Sequence, residues 1–597
     1  MDADASGSML ARAGHKVLIA REHHLGKRHK TCDADLSEMF LKFKSEVESV
    51  LKKALDASGY QIDNLHIEES AHADLASSLS FRLAPECRQS PAAIADVIAD
   101  AITIPKDSLI VDVQAVGAYI NFFASRKFID DTVHEIFLKK ERYGTGSGKG
   151  KVIIEHTSAN PNGPLHVGHI RNSVIGDTLA RILKTAGYDV EIQYYVNDMG
   201  RQVAIVAWAM DRFEFDTQKK ADHAIADVYI RANRELGEDP DLVCQIDELM
   251  QGIERGDAEM IERFGSATEL AVSGITSTLK RMNVHHDRFV HESMFVKDGE
   301  VSNIVGELKK MGLTEIDDGA LVIPMPAFDK DLVILRSDQT SVYVTRDLAY
   351  HRWKAEQCDR MIDVLGADHK LISSQLCYVL RAYGVKEPEI VIFEFVSLPE
   401  GSMSTRAGKF ISADELLDEV EKQALTEVTK RRPDAGEDFR KHVAKEVGIG
   451  AVRYDIVKVT PEKATTFDWE SALDFDKLGA PFIQYSHARA CSILKKAQHI
   501  PESIDPARLL EDAEISFVKE LARFSYVIDL ASRELKPHIV AIYAQELAEA
   551  FNQFYRLSPV LSAPDDVRDA RIGLVECARI VLASTLGVLG IAAPESM

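Results

Sequence analysis

Apolar positions along the 597-residue chain change period several times, and the changes divide it into segments. From Met39, the residues Phe40, Phe43, Val47 and Leu51 recur at helical spacing, and Ser90-Pro91 opens a second helix through Ile94, Val97 and Ile98. Strand-like runs at 109–113 and 119–123 close a small α+β unit over about 39–125. Then the β-branched run Val152, Ile153, Ile154 enters a turn punctuated by Asn160-Pro161 and Gly163-Pro164. Behind the turn a helical pattern puts Ile170, Val174, Leu179, Ile182 and Leu183 on one buried side. This helix is expected to reach about Ala186, with Gly187 as the left-handed residue beyond it and a strand at 190–196 next.

A charged helical stretch occupies about 203–295. Alternation then resumes: Leu332–Leu335, a strand at 342–344 running into a helix, a strand at 361–365, a helix to Tyr383-Gly384, and a strand at 390–393. Such alternation predicts a parallel sheet with ligands at the carboxyl ends of its strands. From about 446 the β signal disappears, and helical patterns run through 482–493 and 547–555 to a final apolar helix ending in Ala593-Pro594-Glu595-Ser596-Met597. The fold class is therefore a multidomain α/β chain. It has an N-terminal α+β domain (39–125), a Rossmann-like parallel-sheet domain (126–445, with a helical insertion at about 203–295), and a C-terminal all-α bundle (446–597). The first 38 residues mix basic and acidic side chains without an apolar run and read as a disordered extension, a weak transit peptide being the alternative.

No segment approaches the ~20 apolar residues of a membrane span. Seven cysteines are scattered without a C-x-x-C pair, which supports neither a disulfide framework nor zinc and makes a reducing cytoplasm the simplest compartment. The formal charge of −23 argues against a general nucleic-acid coat but leaves room for local basic patches.

The turn at 155–169 carries the chemistry. His166 and His169 share a face at a helix N-terminus, where unpaired N–H groups and partial positive charge favour an anion. Gly168 between them would let a base or ribose approach the backbone. The set suits adenylyl transfer, although an isolated H-x-G-H is as readily a polar helix cap.

This run resembles the HIGH signature of class I aminoacyl-tRNA synthetases. Ser158-Ala159-Asn160-Pro161 before it and Tyr195-Val196-Asn197-Asp198-Met199-Gly200-Arg201-Gln202 after it resemble the arginyl-tRNA synthetase family specifically, and the likeness extends over about 39–597. The resemblance implies that L-arginine is activated by ATP, with Mg²⁺ and without zinc, and transferred to the 2′-hydroxyl of the terminal ribose of tRNA(Arg), activation itself requiring tRNA. It implies an N-terminal domain on the tRNA elbow and a helical anticodon-binding domain whose exposed aromatics stack on bases; a monomer is expected, although the sequence does not give the oligomeric state.

Residue roles follow from the same resemblance. His166 and His169 stabilise the pentavalent phosphate, while Asn160, Pro161, Gly163, Leu165, Gly168 and His369 line the nucleotide. Glu155, Ser158 and Asn160 receive the α-amino group, with Asp198 and Gln202 as weaker candidates. Guanidinium recognition needs carboxylate geometry, and Tyr343 with Asp347 supplies it at i,i+4 spacing. The other reading of Asp347 is an ion pair with Arg346 or Lys354 on a solvated face.

The second signature, a loop at 399–410, contains Met403 and Ser404 as ATP contacts but has Ser402 and Thr405 where lysines are usual. The turn at Gly163 lacks the substitute lysine as well, leaving Arg406 and Lys409 to meet the β- and γ-phosphates. Two rivals remain: another class I synthetase, such as the cysteinyl enzyme, and a non-catalytic tRNA-binding paralogue.

Overall fold

Five parallel strands organise the centre of the protein: β1 (Lys151–Glu155), β2 (Asp189–Val196), β3 (Arg288–His291), β4 (Arg360–Gly366) and β5 (Glu389–Phe393), in the spatial order β5-β4-β1-β2-β3. This computed structural model describes residues 38–239, 241–397, 411–476 and 478–597. The expected extension at 1–38 falls almost wholly outside them, as do 399–410 with Met403, Ser404, Arg406 and Lys409.

Between β1 and β2 runs helix α1 (Val167–Thr185), and Ile170, Val174, Leu179, Ile182 and Leu183 are buried on it as expected. Gly187 follows with φ 96°. A Cβ there would overlap the Gly146 carbonyl oxygen and lie 2.8 Å from the Gly148 nitrogen. Gly187→Ala should therefore lose about 2–4 kcal/mol, from backbone strain and overlap together, read as a lowered thermal midpoint. An unchanged midpoint would contradict this account.

Two sequence expectations need correction. Leu332–Leu335 is a strand, but it pairs antiparallel with Ala320–Ile323 in a separate three-stranded sheet. The loop at 324–331 is too short for the crossover that a parallel partner requires. Residues 342–344 are not a strand: Val342 is the extended N-cap of helix α2 (Tyr343–Ala355). The place left in the parallel sheet is taken by β3, a four-residue edge strand inside the stretch read as helical.

The insertion itself is helical, with Ala221–Glu238, Asp241–Glu254 and Ala258–Arg281. The N-terminal unit is a four-stranded antiparallel sheet with three helices, one started by Ser90, whose hydroxyl accepts the Ala93 N–H. Four long helices, from Ala480–Ala497 to Asp565–Val588, form the C-terminal bundle, in which Phe517, Phe551 and Phe554 are buried. The last helix stops at Val588, short of the expected end, and Gly590 turns left-handed (φ 69°) where a Cβ would overlap the Arg453 guanidinium. The expected boundary at 445/446 falls inside helix Glu437–Val457.

Fully buried arginines fix α1 to its surroundings. Arg171 donates to the Phe395 and Lys463 carbonyls at 2.9 and 2.6 Å. Arg453 donates to Asp177 at 2.5 Å and to the Leu589 and Met282 carbonyls. No described helix is long and apolar enough to cross a membrane.

Candidate active site

Sheet register sets Gln193 of β2 and Asp363 of β4 on either side of Glu155, the last residue of β1. Helix α2 lies over this row and is bonded to each member. Tyr350 Oη donates to Gln193 at 2.8 Å, Lys354 Nζ to Asp363 at 2.5 Å and to Glu155 at 3.3 Å, and His351 Nε2 meets Asp363 at 2.7 Å. The other ring nitrogen of His351 faces the Asp347 carbonyl, 2.8 Å away. The ring is thus held between a carboxylate and a backbone carbonyl.

The turn after β1 is strained. Thr157 and Ser158 have φ of 71° and 37°, positions that L residues occupy at a cost of about 1–3 kcal/mol each. Asn172 accepts the Thr157 N–H at 2.8 Å, and the Thr157 hydroxyl meets Ser173. Ser158 Oγ donates to Glu155 at 3.0 Å and accepts the Tyr195 N–H at 3.1 Å. Its hydroxyl thus ties Glu155 to the backbone of β2.

His166 and His169 cap α1 reciprocally. His166 Nδ1 accepts the Gly168 N–H at 3.0 Å, and His169 Nδ1 accepts the His166 N–H at 3.2 Å. The rings stack with centroids 3.7 Å apart. Because each Nδ1 is an acceptor, the proton of each neutral ring sits on Nε2. Burial, then the neighbouring His166, pushes His169 down to about 3, and burial lowers His166. Both imidazoles are therefore neutral N–H donors at neutral pH. A Cβ on Gly168 would lie 2.9 Å from His166 Cε1, so the glycine makes room for this ring.

Asp347 lies one turn along α2 from Tyr343, as the spacing predicts. Protein crowds both side chains, yet Tyr343 keeps 37 % of its surface open to solvent. The solvated-face alternative fails: Arg346 is bound to Glu292 and Glu254, and Lys354 to Glu155 and Asp363. Among the described residues no ion pair reaches Asp347. Burial, then repulsion from Glu155, Glu292 and Asp363, pushes its carboxyl up to about 7 against the opposing charge of His351. Glu292 Oε2 and the Tyr195 hydroxyl are also buried without hydrogen-bond partners, and Tyr195 feels both acids and Tyr343. Neither residue was singled out from the sequence for this pocket, since only the strand ends bring them together.

The remaining candidates fall in several places. Asn160 accepts from Asn197 at 3.3 Å and lines, with Gly200, Arg201, Gln202 and Val203, a cavity of about 180 Å³. Pro161 is buried, and Gly163 backs onto Ala226 of the insertion. His369 ends the short helix after β4. Leu165 is a core side chain whose carbonyl accepts the Ala413 N–H at 2.7 Å, so it has no side-chain face for a nucleotide. Asp198 accepts from the Ser293 N–H and hydroxyl and meets His291 Nδ1 at 3.1 Å.

Comparison with known proteins decides the family. The family described as tRNA synthetases class I (R), catalytic domain, matches residues 132–469. The arginyl tRNA synthetase N terminal domain matches 42–124, and the DALR anticodon binding domain 483–597. The arginine–tRNA ligase of Methanococcoides burtonii is 59 % identical over 567 residues, covering 94 % of this chain and 100 % of its own length. That of Methanosarcina barkeri is 60 % identical over 569 residues with the same coverage.

The chain belongs to the arginyl-tRNA synthetases. Among solved arginyl-tRNA synthetases, that of Thermus thermophilus superposes with a TM-score of 0.81 at 28 % identity, covering 93 % of this chain and 100 % of that one. The Plasmodium falciparum arginyl-tRNA synthetase shares the fold at a TM-score of 0.79 and 15 % identity, covering 93 % and 99 %.

Proposed function

We propose that the protein is an arginine–tRNA ligase whose cleft forms arginyl-adenylate from L-arginine and ATP and then esterifies tRNA(Arg). The observation that carries this reading is the Asp347 carboxylate, crowded by other acids and without an ion-pair partner among the described residues, on a chain whose stacked imidazoles present N–H donors at the start of α1. A planar cation satisfies Asp347, Glu292 Oε2 and Tyr195 together, which a neutral side chain does not.

An oxygen of the arginine carboxylate attacks the α-phosphorus, the bond to the bridging oxygen of pyrophosphate breaks, and pyrophosphate leaves. His166 and His169 donate from Nε2 to the charge that develops on the phosphate, acting by position and polarity instead of nucleophilic attack. Glu155, held by Ser158 and Lys354, and Asn160 face the α-ammonium group. The 2′-hydroxyl of the terminal adenosine then attacks the acyl carbon and AMP departs.

Mg²⁺ accompanies the ATP phosphates, where Arg406 and Lys409 supply the remaining positive charge. The reading needs no zinc: among the described residues, the two clusters of carboxylates with histidine already enclose the Lys354 and Lys220 ammonium groups. We assign the N-terminal α+β unit to the tRNA elbow, the parallel-sheet unit to catalysis and the C-terminal bundle from Ala480 onward to the anticodon, where Tyr485 and Tyr555 stand exposed on either side of Arg489. The enzyme acts as a cytoplasmic monomer.

Aminoacylation of total tRNA with a panel of amino acids tests the reading. Arginine alone should be charged, and charging of any other amino acid in its place would overturn it. In ATP–pyrophosphate exchange with tRNA present, Arg406→Ala and Lys409→Ala should each lose about tenfold or more; unchanged rates in both would remove these residues from the phosphate site.

A further inference from the structure

One carboxylate outside the cleft gathers an unusual number of donors. Asp414 stands in the first turn of α3 (Ala413–Arg431) and accepts from Lys220 Nζ at 2.6 Å, His223 Nε2 at 3.1 Å, Arg281 Nη1 at 3.1 Å and the Thr278 hydroxyl at 3.1 Å. Lys220 and His223 belong to the start of insertion helix Ala221–Glu238, and Thr278 and Arg281 to the end of Ala258–Arg281. Both helices are locked beneath it. Fully buried Asp222 shares Lys220 at 2.9 Å and packs on Gly274 so closely that a Cβ there would lie 2.5 Å from its carboxylate.

The other side of this junction is the nucleotide turn. Ser412 caps α3 reciprocally with Glu415, and its backbone bridges His166. The Ala413 N–H donates to the Leu165 carbonyl at 2.7 Å. Any movement of the start of α3 therefore moves the backbone of the residue whose imidazole caps α1.

We propose that Asp414 is a positioning residue for adenylation, fixing His166 against the inserted helices through the start of α3. It touches no substrate, and none of the donors it gathers bonds to α2, which is held instead by Gln193, Glu155 and Asp363. Its loss should therefore disturb phosphate chemistry and spare amino-acid affinity. Four donors from two helices converge on two carboxylate oxygens. An amide offers one acceptor and turns an N–H toward Lys220 or Arg281.

The inference rests on the adenylation reading. Absence of arginine-dependent exchange in the unaltered enzyme would sink that reading itself; normal exchange in the variants sinks only the role of Asp414. In tRNA-supplemented ATP–pyrophosphate exchange, Asp414→Asn should lower kcat about 10- to 50-fold with the arginine KM within twofold. Asp414→Glu should recover most of the loss, and Lys220→Met should reproduce part of it. Asp418→Asn, which removes an exposed partner of Arg281, should change nothing. A kcat within twofold of the unaltered enzyme in Asp414→Asn, or a parallel fall of kcat and arginine affinity, overturns the proposal. Should Asp414→Asn fail to fold, Asp414→Glu and Arg281→Met decide by the same kcat-against-KM split.

Discussion

Asp347→Asn should raise the arginine KM by roughly 10³-fold or more in tRNA-supplemented exchange while leaving the fold intact. Truncating one side of a desolvated charge pair costs about 3–5 kcal/mol, and sites built for one polar partner reject mismatches by up to ~10⁵. Here the guanidinium would face an amide in a cleft that already excludes water from Glu292 and Tyr195. The same residue sets a pH dependence. The carboxyl is held at about 7, whereas the unfolded chain titrates near ~3.9. Below about 7 it is protonated, so arginine must displace a proton on binding, and the apparent KM should rise as pH falls, by about tenfold per unit.

For the empty enzyme the sign reverses. The folded state keeps a proton that the unfolded chain releases, so stability falls as pH climbs from about 4 to 7 and the loss is complete above that. Asp347→Asn should then melt higher than the unaltered apoenzyme at pH 8 and show no pH dependence of its residual KM between 6 and 8. Site acids kept at a stability cost for function behave in this way. A KM within tenfold of normal, or one flat with pH in the unaltered enzyme, would refute the pocket.

What the sequence makes legible is what is local. The strand, the Asn-Pro and Gly-Pro turn, the caps and the i,i+3 spacing of His166 and His169 are all written within a few residues, and the structure follows them closely. Tyr343 and Asp347 are legible as a pair for the same reason. That Asp347 has no cation is not. Arg346 and Lys354 sit beside it in the chain and find their carboxylates at Glu254, Glu292, Glu155 and Asp363, on elements whose proximity only the sheet creates. Glu292 hides likewise in a charged stretch that reads as helix. Leu332–Leu335 shows the converse failure: its strand pattern is correct, but pairing partner and direction depend on loop length, which alternation does not encode.

Helix α2 joins these two kinds of information. One face carries the arginine pocket, and Tyr350, His351 and Lys354 bond it to three neighbouring strand ends. The pocket and the turn at Glu155 therefore share a support. On the proposed reading this shared support would hold a bound arginine in register with the phosphate donors, which is how a site gains rate from orientation.

His169→Ala should cost about 10²–10³-fold in kcat for pyrophosphate exchange, with KM for arginine little changed. Removing one preorganised donor to a developing oxyanion carries that penalty in other enzymes. The variant also strips the acceptor of the His166 N–H and one stacked ring, so the cap of α1 should weaken by ~1 kcal/mol, a loss visible in thermal melts but far too small to explain the rate. His169→Asn separates the two effects: a short acceptor can still cap the backbone but does not reach the phosphate, so stability should return while the rate stays low. Because His169 is pushed down to about 3 and stays neutral, kcat should show no limb from this residue between pH 5 and 9. The double variant His166→Ala/His169→Ala should lose less than the sum of the single losses, since each ring holds the other in place. A rate restored by asparagine, or a kcat limb near pH 6 that vanishes in His169→Ala, would assign the imidazole to capping or to proton transfer in place of phosphate stabilisation.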